Sequence, residues 1–145
     1  MRLVVATPLS IVVEADGVRH VRAEDETGAF GILPEHADLL TALDVSVVTW
    51  RDGGGVERYV AVHGGVLEVV DGNQVRIATR EAVAGSDLAI LEQQVLARFR
   101  HEAEAERVAH ADAERLYLAA IREIVRHLRG ARRPSEMVPS PIGAE

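Results

Sequence analysis

The chain has 145 residues, enough to bury a real core, and nearly half are hydrophobic while only 3% are aromatic, so that core must be aliphatic. All sixteen basic residues are arginine and the net charge is −7, which argues against nucleic acid, since a phosphate backbone needs a basic face that releases counterions. Zero cysteines exclude a disulfide framework and thiolate metal sites and fit a reducing compartment, and no apolar run approaches the roughly 20 residues needed to span a bilayer.

The opening stretch, MRLVVATPLSIVVEAD, meets an acid at Glu14 and has no cleavage-site pattern, so it is not expected to be a signal peptide. Residues 1–85 read as β structure. LVVA, SIVV, VRHVRA, VSVVTW, RYVAV, VLEVV and VRIA are short Val/Ile-rich runs bounded by turn residues, and several alternate. Arg51 to Glu57 (RDGGGVE) and Val70 to Gln74 (VDGNQ) are expected hairpin turns, with Gly and Asn supplying positive φ. Many short strands at close spacing predict a β-sandwich or flattened barrel. The stretch Gly28 to Leu43, GAFGILPEHADLLTAL, is apolar and turn-rich. Alternation there sends Phe30 and Ile32 to one face, with Ala29 and Leu33 on the other.

Near Gly85 the pattern changes. From Ser86 to Arg129 there is neither Gly nor Pro. Ser86 is the expected cap, with Asp87 favourable in the first turn. Leu88, Leu91, Val95 and Phe99 form one apolar stripe at helical spacing, and Leu116, Tyr117, Ala120, Ile121, Ile124, Val125 and Leu128 form a second. One straight helix over this stretch would be about 66 Å long, with an uncovered stripe at each end. Folding back buries both. An antiparallel two-helix hairpin over 86–130 is therefore expected, with a soft hinge at Val108, Ala109, His110, Ala111 and Asp112. Gly130 marks the stop, and the proline-rich residues 131–145 are expected to be a disordered tail. Charge is uneven: residues 1–85 carry a net of −6 and residues 86–130 a net of −1.

Catalytic and metal chemistry finds little support. The six histidines never fall at i,i+4 with one another and HExxH is absent, so no metal or other cofactor is expected. VHGGV (Val62 to Val66) lacks the GxSxG elbow that a hydrolase would need. Gly64 and Gly65 are better read as a bulge or a close approach between strands. The DGGG run lacks GK[ST] and leads into a strand, so it is not a phosphate loop. His36 has no partner motif for catalysis. A Gly-flanked apolar turn is what a docking loop looks like, because exposed apolar patches mark contact surfaces.

Two patterns carry a family resemblance. G-x-x-G-I-x-P-x-H-A-x-L-L-T is matched from Gly28 through Thr41, and G-G-x-L-E-V by Gly64, Gly65, Leu67, Glu68 and Val69. Their order and spacing, with a β-sandwich before them and helices after, resemble the epsilon subunit of bacterial F-type ATP synthases over nearly the whole chain. The start and the ending AIREIVRHLRG are most similar to the alternate, second-operon branch, some members of which are regarded as sodium-coupled.

The resemblance implies a non-catalytic rotor part. Its sandwich would pack beside the gamma subunit of the central stalk and rest on polar loops of the membrane c-ring through Ala29, Phe30, Leu33, Glu35 and His36. The C-terminal helices would reach toward the alpha and beta subunits and restrain ATP hydrolysis. Attachment to the cytoplasmic face of the bacterial inner membrane would come only through the complex. Family members that bind ATP carry [IL]-D-x-x-R-A on the first helix. Here Leu88 to Gln93 places Ala89 and Glu92 at the Asp and Arg positions, so weak or absent ATP sensing is expected. The alternative is an unrelated β-sandwich binding module with a regulatory helical hairpin, and a further rival is a small hydrolase using His36 or His63.

Overall fold

Leu3 and Val5 are wholly buried while Arg2 is exposed, and this alternation makes the N-terminal run a half-buried strand, β1 (Arg2–Ala6). The computed structural model describes residues 1–131. In chain order it continues through β2 (Ile11–Ala15), β3 (His20–Asp25), β4 (Gly28–Ile32), β5 (Leu39–Arg51), β6 (Glu57–Val70), β7 (Gln74–Ala78) and β8 (Ala82–Gly85). Hydrogen-bonded neighbours run β2-β1-β7-β6-β5-β3-β4, and β8 pairs with β6 off this path. Every pairing is antiparallel except β1 with β7, which is parallel.

Strands β5 and β6 make the frame. Residues Val66–Val70 of β6 pair with β7, whereas Tyr59–Val62 pair with β8, so the two halves of one strand serve different neighbours. Between the halves the β5–β6 ladder skips Asp44 and Gly64. Gly64 has φ 67 and Gly65 φ 118, and a Cβ on Gly65 would lie 2.2 Å from the Ala78 carbonyl oxygen. The glycine pair is thus the close strand approach its sequence suggested. The core beneath is aliphatic apart from Trp50, with Val21, Ile32, Val48, Val60, Leu67 and Ile77 among its buried members.

Both expected hairpin turns are present: β5 ends at Arg51 and β6 begins at Glu57, and β6 ends at Val70 before β7 begins at Gln74. Asp52 organises the first, accepting backbone N–H groups of Gly54 (2.9 Å) and Val56 (3.1 Å) on Oδ1.

The helical part departs from expectation in three ways. Its cap is Asp87, not Ser86: Oδ1 accepts from Ala89 N (2.9 Å) and Ile90 N (3.4 Å). After α1 (Leu88–Ile90) comes a π-helical turn, Leu91–Leu96, and then α2 (Ala97–Ala131). Of the expected stripe, Leu91 and Phe99 are buried and Val95 is half-buried against the same cluster, while Leu96, outside the stripe, is buried as well. Leu91, Val95 and Phe99 pack with Ala61, Val45, Val47, Tyr59 and Val83.

The two-helix hairpin is the third correction. Val108, Ala109, His110, Ala111 and Asp112 are all helical, and α2 runs through them without a turn. An Ala-rich stretch without Gly or Pro has high helix propensity, and i,i+4 and i,i+3 pairs tie the expected bend to the turn after it, His110 with Glu114 (3.1 Å) and Arg115 with Asp112 (3.9 Å). The chain divides into two compact units, Met1–Glu104 and a second that begins at Ala105. The first unit holds all the strands and the early helical turns. The second, over the described residues, is the remainder of α2. There Leu116, Tyr117, Ile124 and Leu128 are exposed. The expected tail falls, from residue 132 onward, outside the described residues.

Candidate functional site

The stretch that includes Gly28 to His36 forms strand β4 and a loop to β5. In β4, Phe30 sits opposite Ala23 on β3 and packs on the core, while Ala29 faces outward opposite Glu24. Ile32 is wholly buried, and Leu33, the next residue, is 59% exposed. Alternation therefore holds to the end of the strand: Leu33 is outward and Phe30 packs on the core.

The loop itself is clasped. His36 N–H closes a turn onto the Leu33 carbonyl (3.2 Å), and Glu35 N–H donates to the Gly72 carbonyl in the β6–β7 turn (2.7 Å). Across the same edge, Asp71 N–H donates to Asp38 Oδ1 (3.0 Å). Glu35 and Asp71 are the non-glycine residues with positive φ among the described residues, at 68° and 55°. Gly72 (φ 67) lies so close that a Cβ on it would sit 2.8 Å from Glu35 Cα. Glu35 is exposed and His36 partly so. The His36 Nδ1–H donates to the Ala37 carbonyl at 2.6 Å, since a carbonyl can only accept, and this sets the ring's tautomer.

Behind the edge, Asp25 ties the β3–β4 turn to β5. Its Oδ1 accepts from Thr27 Oγ1 (2.6 Å) and Thr27 N (2.9 Å), and its Oδ2 from Thr41 Oγ1 (2.7 Å). The Thr27 hydroxyl, then that of Thr41, holds the Asp25 carboxyl below its ordinary value, because each bond favours the charged form. The sequence marked Val70 to Gln74 only as a turn. The roles of Asp71, Gly72 and Asp38 arise from pairing between two loops far apart in the chain, which no local pattern carries.

The two histidines named for hydrolysis lie on different elements, His36 in the β4–β5 loop and His63 within β6. His63 is buried on β6, its Nε2 3.5 Å from Glu102 Oε2 and its ring 5.0 Å from that of Phe99. Among the described residues no group of three or more His, Asp or Glu could hold a metal ion, and no helix is long and apolar enough to cross a membrane. What the geometry offers is a β-sandwich with an appended helix and an outward, braced loop edge.

Comparison with known proteins narrows the class. Residues 1–85 match the family described as ATP synthase, Delta/Epsilon chain, beta-sandwich domain. "ATP synthase epsilon chain 2" of Paraburkholderia xenovorans is 41% identical over 132 residues, covering 91% of this chain and 95% of that one. The chain of the same name from Cereibacter sphaeroides is 42% identical over 128 residues, covering 88% of each. The fold is similar to a chain of the Euglena gracilis mitochondrial ATP synthase OSCP/F1/c-ring structure, with a TM-score of 0.55 at 23% identity, over 77% of this chain and 62% of that one. The chain belongs to the ATP synthase delta/epsilon family, and within it to the epsilon chains, alongside relatives of the second-copy branch.

Proposed function

We propose that this chain is a non-catalytic rotor subunit of an F-type ATP synthase. It joins the gamma subunit of the central stalk to the membrane c-ring and so keeps ion translocation coupled to ATP synthesis and hydrolysis. The observation that carries the reading is the braced loop edge: Leu33 and Glu35 stand outward on a segment held by Gly72 and Asp71 of the β6–β7 turn, at a sandwich edge. Such an edge suits torque transmission, because a contact surface that yields under load would dissipate it. Ala29, Leu33, Glu35 and His36 meet the ring in this reading, and Phe30 underlies them. Attachment at the cytoplasmic face of the bacterial inner membrane follows from the ring.

The exposed stripe on α2 supports a regulatory role. Leu116 is 73% exposed and Ile124 58%, a contact surface of the kind that an apolar groove on gamma, alpha or beta would cover. The two-helix hairpin, folded at 108–112, is the second arrangement of this segment in the same proposal, since folding would cover part of the stripe. Ala89 and Glu92 are exposed and offer no cation for a phosphate, so the helix should respond to partners and not to ATP.

Co-expression with a candidate gamma subunit and c-ring, followed by pull-down on this chain, tests the reading. Recovery of gamma and ring together is expected. Failure to recover gamma would sink it, and recovery of gamma without the ring would remove the role given to the loop edge.

A further inference from the structure

The π turn Leu91–Leu96 lies between two anchors. Upstream, Asp87 caps the helix and Leu91 is buried against Gly85, where a Cβ would lie 3.3 Å from Leu91 Cδ2. Downstream, Phe99 is wholly buried on His63, Arg98 Nη2 is 2.7 Å from Glu81 Oε1, and Glu102 Oε2 lies 3.5 Å from His63 Nε2. Between the anchors Leu96 is 5% exposed, five places after Leu91. In a helix of 3.6 residues per turn, a five-residue step swings about 140° away from the starting face, whereas Val95 would fall within about 40° of it. Only a wider turn returns Leu96 to the sandwich. Its far end then closes tightly, with Ala97 N–H bonding the Gln94 carbonyl.

We propose that this turn holds one surplus residue and acts as a register device: docking of residues 96–104 on the sandwich winds the π turn, and release of that segment lets it relax to α-helix. The relaxed turn does not fit the docked state. With Leu91 in place and ordinary α geometry, each later residue falls one seat short, so Arg98 would enter the buried seat of Phe99 and His101 would replace Glu102 beside His63. Burying a guanidinium in that apolar seat is strongly unfavourable. Once undocked, the segment has no contact that rewards the wide turn, and the better hydrogen-bond ladder of the α-helix wins. Docking and winding are therefore one event, and release turns everything after Leu96 by about one residue, or 100°. This holds whatever the chain binds.

The test is hydrogen exchange on the full-length chain with and without Gln94, an exposed residue within the turn. Its removal places Leu96 four residues after Leu91 and lets the docked segment be α-helical. Amides of 96–104 should then exchange about tenfold more slowly than in the native chain, with strand amides unchanged. Equal or faster exchange in 96–104, with the strands still protected, overturns the proposal. If the shortened chain does not fold, Leu96→Ala and Val95→Ala decide it. Leu96→Ala should speed exchange across 96–104 about tenfold more than Val95→Ala. An equal or larger effect of Val95→Ala overturns it.

Discussion

At the scale of single residues, Gly72 has no room for a side chain and sits where L-residues are strained. Gly72→Ala should cost about 1–3 kcal/mol in denaturant unfolding and should weaken ring recovery in pull-down by loosening Glu35. A variant that loses stability yet binds the ring as well as the native chain would separate the clasp from docking. Gly65→Ala is a harsher change, since its Cβ would meet the Ala78 carbonyl with no flexible atom to give way. Loss of more than about 3 kcal/mol is expected there, read from the same unfolding curve. Asp25 makes a prediction in pH. Its folded-state carboxyl titrates below the ordinary 3.8, so its contribution to stability is complete above that value and disappears as pH falls through the lowered one. Asp25→Asn should flatten that part of the stability–pH curve, and an unchanged slope would show that Asp25 is not its source. Alternation separated Phe30 and Ile32 from Leu33, because a strand's two faces are written in neighbouring residues, but which face is inward came only with the packing. The clasp of Glu35 by Gly72 was not legible, because it joins turns that meet only after β5 and β6 have paired.

At the scale of elements, most strands and their glycine turns were legible, but β8 was not, and RYVAV and VLEVV are one strand, β6; the helical character after Gly85 was legible and its course was not. The hairpin was inferred from an uncovered stripe, on the premise that apolar residues must be buried within the chain itself. For a subunit whose neighbours are other chains that premise is too strong, and the Ala-rich run with its Arg, Glu and His pairs continues straight through Asp112. Counting by 3.6 found Leu91, Val95 and Phe99 but missed Leu96, which the π turn brings to the sandwich as well. Phe99→Ala tests the helix–sandwich contact: about 3–5 kcal/mol should be lost, measured by thermal unfolding. By contrast Leu116→Ala, on the exposed stripe, should leave the isolated chain within about 0.5 kcal/mol of native. In the assembled enzyme the same substitution should raise ATP hydrolysis if α2 restrains it, and no change would leave α2 without that role.

At the scale of the whole molecule, the order of strands, the two patterns and the trailing helical segment were legible enough to point to the family. The division at Glu104 was not, since composition changes near Gly85, well before the packing does. A truncation that respects the packing ends at Glu104, whereas one after Arg80 would strip β8 from β6 and uncover Ala61. The chain ending at Glu104 should unfold in one cooperative step, and its assembled enzyme should show whether hydrolysis is released. The parallel pairing of β1 with β7, Leu3 beside Val75 and Val5 beside Ile77, also has a bearing on synthesis. The first strand to leave the ribosome must wait for nearly the last before it gains that neighbour. Closure of so long a loop is slow, and until Ile77 emerges Leu3 and Val5 lack the neighbouring strand on that side. Nascent chains halted before β7 should therefore be cleaved readily by protease at the N-terminal strands, and those halted beyond β8 should resist.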